Sequence, residues 1–181
     1  MATLLLVRHF RTPWNAEGRL QGRRDLDLDD PLGPEDLAAL ARNRAHLAGM
    51  RFGAVWSSPL RRARQTAALH GFEHPEVEDD LAELAFGVWE GQTWAALHEA
   101  HPGTWGRAPQ DLPLGEPFSA FADRVRRVLA RVRAMDGPPV LAFGHGAWAN
   151  CAQALCAGSP ASALSAFTTA NGAVVSLDLP F

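Results

Sequence analysis

Lysine and tyrosine are absent from the 181 residues, so all 17 basic side chains are arginine. No lysine Schiff base and no tyrosine nucleophile can operate here. Cysteine is scarce: Cys151 and Cys156 stand five apart in an apolar stretch. They form neither a CxxC pair nor a disulfide framework, which favours a reducing compartment. Long apolar runs are missing too. Leu4 to Val7 is far short of the ~20 residues that cross a bilayer and too short for a signal peptide. A cytoplasmic protein without a membrane partner is expected. A strong charge excess is also lacking: the net charge of −3 gives no bulk case for nucleic acid.

What is present describes a folded domain. The chain has the length of one ordinary domain, read as a single unit over 1–181. Hydrophobic residues supply 47% of it, which argues against extended disorder. Charge is unevenly spread. Residues 1–64 carry 11 Arg against 7 Asp and Glu, whereas residues 65–181 carry 6 against 13. Arginines able to meet an anion are thus concentrated early.

Residues 3–7 form a short apolar run, as expected of a strand buried on both faces. Pro34, Glu35 and Asp36 open a helix that Gly49 stops. Residues 53–57 read as a strand, 59–70 as a helix, 81–91 as mostly loop and 93–100 as a helix. The Pro- and Gly-rich stretch 102–117 reads as a long connection bordering a functional site. A helix over 118–135, a strand over 139–143, a helix over 146–157 and a strand over 173–179 complete the pattern. The alternation predicts an α/β domain, a three-layer α/β/α sandwich with a mostly parallel central sheet. Residues 124–135 contain five arginines. Val125, Val128, Leu129 and Val132 share one side of that helix with the arginines flanking or opposing it. This is an amphipathic surface helix rather than a nucleic-acid site.

The chemistry concentrates in Arg8-His9, Arg62, Glu83 and His145. Both histidines follow directly on apolar strands, and in open α/β sheets such strand ends line the ligand crevice. Taken singly, each is more often a hydrogen-bonded structural residue. Together with the arginines they suggest an anion or phosphate site, the reaction unspecified.

Motifs sharpen that reading. Arg8-His9-Phe10-Arg11-Thr12-Pro13-Trp14-Asn15 is followed by Gln21-Gly22, then by Ser57 to Ala67 (SSPLRRARQTA), which contains Arg62. Leu81 to Gly91 (LAELAFGVWEG) comes next, then Gly115-Glu116 ahead of Arg124-Val125, and lastly Gly144-His145-Gly146. In this order over residues 4–146 the set resembles the histidine phosphatase superfamily, in the branch shared by phosphoglycerate mutases and small-molecule phosphatases. The resemblance implies that His9 attacks phosphorus to form a phosphohistidine. Arg8, Arg62 and His145 would hold the phosphoryl oxygens, a task that suits arginine's fork of donors. Glu83 would act as general acid and base, with Leu84, Phe86 and Trp89 expected to favour its protonated form. Asn15, Gln21, Gly22 and Gly146 are second-rank candidates for touching the substrate. No metal and no cofactor are required.

Three positions depart from the pattern. Phe10 replaces a glycine and is expected to place a ring beside the pocket. Arg11 replaces an acid and would favour a second anionic group if it points inward. Asn150 stands where many relatives have arginine. His98 with His101, and His70 with His74, read as surface residues, and Ser57-Ser58 lacks a GxSxG setting. The implied activity is hydrolysis of a small phosphomonoester. A cofactor-dependent phosphoglycerate mutase and a non-catalytic phospholigand binder are the alternatives. The mutase branch carries a longer insertion after the motif glutamate, with extra basic residues, and neither occurs here. The partner is a small phosphorylated metabolite: a sugar phosphate, a phosphoglycerate, a nucleoside phosphate or a cobamide precursor. Oligomeric state stays open, a dimer included.

Overall fold

The computed structural model describes residues 2–179. Strand β1 (Ala2–Arg8) is apolar enough to be covered on both faces, and Leu4, Leu6 and Val7 are fully buried. A single turn, α1 (Pro13–Ala16), follows; the Asn15 side chain accepts from the Thr12 N–H at 3.1 Å. Helix α2 (Pro34–Leu47) has Pro at its start and Glu35 and Asp36 in its first turn. Then come β2 (Ala54–Ser57), α3 (Arg61–Leu69) and the two-residue β3 (Glu76–Val77). Helix α4 (Trp94–Ala100) is capped by Thr93, whose hydroxyl accepts from the Ala96 N–H. The short α5 (Thr104–Arg107) leads to α6 (Phe118–Arg133), β4 (Val140–Gly144), α7 (Gly146–Cys156) and β5 (Val174–Leu179).

The strands form one sheet in the order β3-β2-β4-β1-β5. The first four run parallel and β5 pairs antiparallel to β1. Because side chains alternate across a pleated sheet, each face has its own core. Leu4, Leu6 and Ala142 meet α6 and α7 on one side, with Phe121, Val125, Val128 and Trp148. Leu5, Val7, Leu141 and Phe143 meet Ala63 and Ala67 of α3 and Leu47 of α2 on the other. The result is three layers, helix on sheet on helix.

This arrangement fixes where a ligand sits. β1 and β4 are parallel neighbours with Arg8 opposite Gly144, yet the helices that follow them pack on opposite faces. A gap therefore opens beyond their carboxyl ends, the switch point where α/β sheets bind ligands. His9 and His145 are the next residue of each strand.

Several local readings differ from expectation. The turn α1, the strand β3 and the turn α5 inside the 102–117 connection are too short to show a period. Arg124 does not flank the apolar side of α6 but is buried, spanning to the loop before Glu83. No helix among the described residues is long and apolar enough to cross a membrane.

Phe121 is fully buried between α6 and the sheet. Phe121→Ala should lower the unfolding free energy by about 3–5 kcal/mol, read from the urea midpoint. A loss below ~1 kcal/mol would place that ring outside the core.

Candidate active site

The gap is a cavity of about 200 Å³, lined by Arg8, His9, Asn15, Gln21, Gly22, Arg62, Glu83 and Gly146 among others. Eight of the nine residues singled out from sequence therefore face one space. The ninth, His145, does not line the cavity; it lies fully buried beside His9 with ring centroids 5.3 Å apart.

His9 is oriented by its backbone neighbour. Its Nδ1 lies 2.6 Å from the Phe10 carbonyl oxygen, which can only accept. Nδ1 therefore carries the hydrogen and Nε2 presents a lone pair. Arg62 Nε–H lies 3.3 Å from that lone pair. Burial, with Arg62 and then Arg8 close by, holds the imidazole well below its ordinary range, against the opposing pull of the Phe10 carbonyl. The ring is neutral near pH 7, as a nitrogen nucleophile requires. His145 is likewise neutral, again chiefly through burial, with Arg62 and His9 adding to it. Its Nε2 lies 2.7 Å from the Ser58 hydroxyl, while its Nδ1 is buried without a partner among the described residues.

Both arginines are held from behind. The Arg62 guanidinium donates to the Gly22 carbonyl at 2.7 Å and the Arg24 carbonyl at 2.6 Å. Burial lowers its pKa to about 10, partly offset by Glu83 and Asp25, and the group stays charged. Arg8 donates to the Thr169 carbonyl at 2.5 Å, and its Nε is buried without a partner among the described residues. A Cβ on residue 146 would come within 3.0 Å of the Arg8 guanidinium carbon, which explains the glycine there. Burial lowers the pKa of Arg8 as well, against the attraction of Glu83. One buried and one partly buried cation facing one carboxylate form an unbalanced set, costly unless an anion joins them.

Glu83 meets surroundings other than those expected. Leu84 and Phe86 are packed in the core, and Trp89 is only partly covered. The carboxylate instead accepts three N–H bonds at 3.0 Å, from Leu84, Ala147 and Trp148. It therefore sits on the N-terminus of α7, whose positive end complements it. Its backbone carbonyl lies within 3.4 Å of Arg124, which also donates to Ala82 and, at 2.7 Å, to Glu116.

The two departures next to His9 point away from the cavity. Phe10 is fully buried against Ala39 and Leu40 and stacks on His70, with centroids 5.4 Å apart and planes 10° apart. Its backbone has no positive φ, so the lost glycine costs nothing here. Arg11 pairs with Glu35 at the start of α2 and does not line the cavity, although its charge is still felt at Arg8. His70 is buried rather than on the surface: it donates to the Thr66 carbonyl and accepts from Asn43. Asn150 lines the cavity and accepts from Thr169.

Sequence reasoning missed the residues that hold these groups. Thr66 accepts from the Phe10 N–H, Asn171 donates to the His9 carbonyl, and Gly172 donates to the Arg8 carbonyl. Ser58 carries His145. Only the SSPLRRARQTA run, with Ser58 and Thr66 on either side of Arg62, hinted at two of them. No group of three or more His, Cys, Asp or Glu suited to a metal ion occurs among the described residues.

Fold and site together define an α/β protein in which a neutral, lone-pair-bearing histidine and two arginines meet beyond the carboxyl ends of the central strands. The chain belongs to the histidine phosphatase superfamily (branch 1), whose sequence pattern it matches over residues 4–180. It is 33% identical over 151 residues to an acid phosphatase of Mycobacterium tuberculosis, covering 79% of this chain and 70% of that one. To a bifunctional protein of the same organism it is 37% identical over 150 residues, covering 78% of this chain but only 40% of the longer relative. Among solved structures, a mycobacterial glucosyl-3-phosphoglycerate phosphatase superposes with a TM-score of 0.80 at 26% identity, covering 97% of this chain and 92% of that one.

His9 and His145 are neutral when folded and ordinary when unfolded, so below about pH 6.5 the unfolded chain binds more protons. Stability is full above that pH and falls as the pH drops. Urea midpoints should decline from about pH 7 to pH 5, and His9→Ala should flatten the slope by up to about 1.4 kcal/mol per pH unit. A midpoint that rises with acid would show an imidazolium in the fold.

Proposed function

We propose that this chain, folding as one domain over residues 1–181, is a phosphomonoesterase that passes the phosphoryl group through His9 to water. The observation that carries this reading is the His9 tautomer: Nδ1–H is fixed on the Phe10 carbonyl and the Nε2 lone pair is turned toward Arg62, with Arg8 close by. The family assignment and the phosphatase names of the relatives support it.

In this mechanism Nε2 attacks phosphorus in line as the ester P–O bond breaks. Arg8 and Arg62 neutralise charge on the equatorial oxygens, and preorganised donors of this kind are each worth about 3 kcal/mol. Ser58 donates to His145 Nε2, which leaves the His145 hydrogen on Nδ1 as a further donor. Glu83 takes up a proton from solvent as the phosphate dianion enters beside it, and gives that proton to the leaving oxygen. Water then attacks the phosphohistidine, its proton returns to Glu83, and the P–N bond breaks to release phosphate and neutral His9. Asn15, Gln21, Gly22 and Gly146 line the space around the transferred group. The substrate is a small phosphorylated metabolite.

Rapid quenching with a labelled phosphomonoester should leave acid-labile phosphate on the protein. His9→Ala should abolish both the label and phosphate release. Glu83→Gln should reduce kcat by about 10²–10⁴ while keeping the urea midpoint within ~1 kcal/mol of the parent. Label retained in His9→Ala would exclude His9 as nucleophile. Exchange between 2- and 3-phosphoglycerate without net phosphate release would identify a mutase instead.

A further inference from the structure

From the charge pairing and the aromatic wall around the cavity, we infer that the leaving group is an uncharged alcohol carrying a planar ring, such as a nucleoside. This rests on the phosphomonoesterase reading and goes beyond it to the substrate.

Charge comes first. Three arginines line the cavity: Arg8, Arg19 and Arg62. Arg19 is already committed, pairing with Glu17 and donating to the Gly91 carbonyl at 2.7 Å. The arginines near the mouth are committed too. Arg23 pairs with Glu116 at 3.3 Å and Arg24 with Glu90 at 3.7 Å. Only Arg8 and Arg62 face the cavity without a salt-bridge partner among the described residues. A phosphate monoester brings a charge of about −1.5 to −2 near neutral pH. Two guanidinium groups balance that and leave no cation for a carboxylate or a second phosphate. Arg11, which could have served such a group, is turned away to Glu35.

Part of the remaining wall is aromatic, beside the uncharged polar side chains Asn15, Gln21 and Asn150. Phe86, Trp94 and Trp105 line the same cavity as Glu83, the proton donor to the leaving oxygen. Their centroids are 5.7 Å (Phe86–Trp94), 5.6 Å (Phe86–Trp105) and 5.2 Å (Trp94–Trp105) apart. At that spacing the rings touch one another, so no ammonium fits between them and the cluster is a wall rather than a cation cage. Phe86 is almost fully buried and fixes the cluster, while Trp94 and Trp105 are partly exposed. A rigid indole surface beside the departing oxygen favours a flat, neutral ring that stacks on it.

The test compares kcat/KM for phosphate release from a nucleoside 5′-monophosphate, ribose 5-phosphate and 3-phosphoglycerate. The nucleoside ester should exceed ribose 5-phosphate by roughly tenfold, the size of one base–aromatic stack, and 3-phosphoglycerate should come last. Trp94→Ala and Trp105→Leu should each pull the first ratio toward one. Glu17→Gln, an exposed change, should release Arg19 and raise the 3-phosphoglycerate value several-fold. Calorimetric binding of the same three esters to His9→Ala should give the same order without turnover. That arm separates the two readings: failure of turnover on every ester, p-nitrophenyl phosphate included, refutes the mechanism, whereas the binding order still decides the leaving group. Equal values for the nucleoside ester and ribose 5-phosphate would overturn the ring. Preference for 3-phosphoglycerate would overturn the neutrality.

Discussion

Two guanidinium groups, Arg62 buried and Arg8 largely covered, held against an uncharged imidazole are the constraint on which this molecule is built. Burying a cation costs several kcal/mol unless other charges or dipoles receive it. Here carbonyl dipoles do most of the receiving: Gly22 and Arg24 hold Arg62, and Thr169 holds Arg8. Those carbonyls anchor the cations without cancelling their charge. Glu83 supplies one negative charge, and it is committed to the N-terminus of α7. The site is therefore rigid and positively biased, the condition under which electrostatic stabilisation of a transferring phosphoryl group needs little reorganisation.

The sheet makes that arrangement affordable. Placing His9 and His145 at the ends of adjacent parallel strands brings their rings together without a long loop. Sending the following helices to opposite faces opens the space between them and aims the α7 amides into it. Around His9 the backbone is then held from three directions, by Thr66 of α3, by Gly144 of β4 and by the 171–172 turn before β5. Phe10, wedged between α2 and His70, adds a fourth anchor where the family has a glycine.

Much of this was legible in the sequence for a physical reason. Arg8-His9 and Gly144-His145-Gly146 each sit at the end of a buried apolar run, so local pattern alone put them at the ligand edge. Arg62, Glu83, Gln21 and Gly22 were placed by motif, and the cavity gathers them. The supporting partners were not legible. The bonds by which Ser58, Thr66, Thr169 and Asn171 hold His145, Phe10, Arg8 and His9 span separations of 56 to 162 residues. Side-chain direction was also hidden. Past the strand end nothing in the sequence told which way Phe10 and Arg11 turn, and both face α2 rather than the pocket. The setting of Glu83 was misjudged because its sequence neighbours are apolar, whereas its spatial neighbours are amides from α7. Arg124 looked like a helix border because its ties to Ala82 and Glu116 appear only once the loop folds back.

The turn before β5 links distant parts of the chain in time as well as in space. Thr169, Asn171 and Gly172 clasp Arg8 and His9 across more than 160 residues. During synthesis the reactive imidazole thus emerges early but stays unclasped until a much later stretch has left the ribosome and paired alongside β1. Closure of such long loops is slow compared with local helix formation. The nascent polypeptide would therefore acquire its helices first and its chemical competence last.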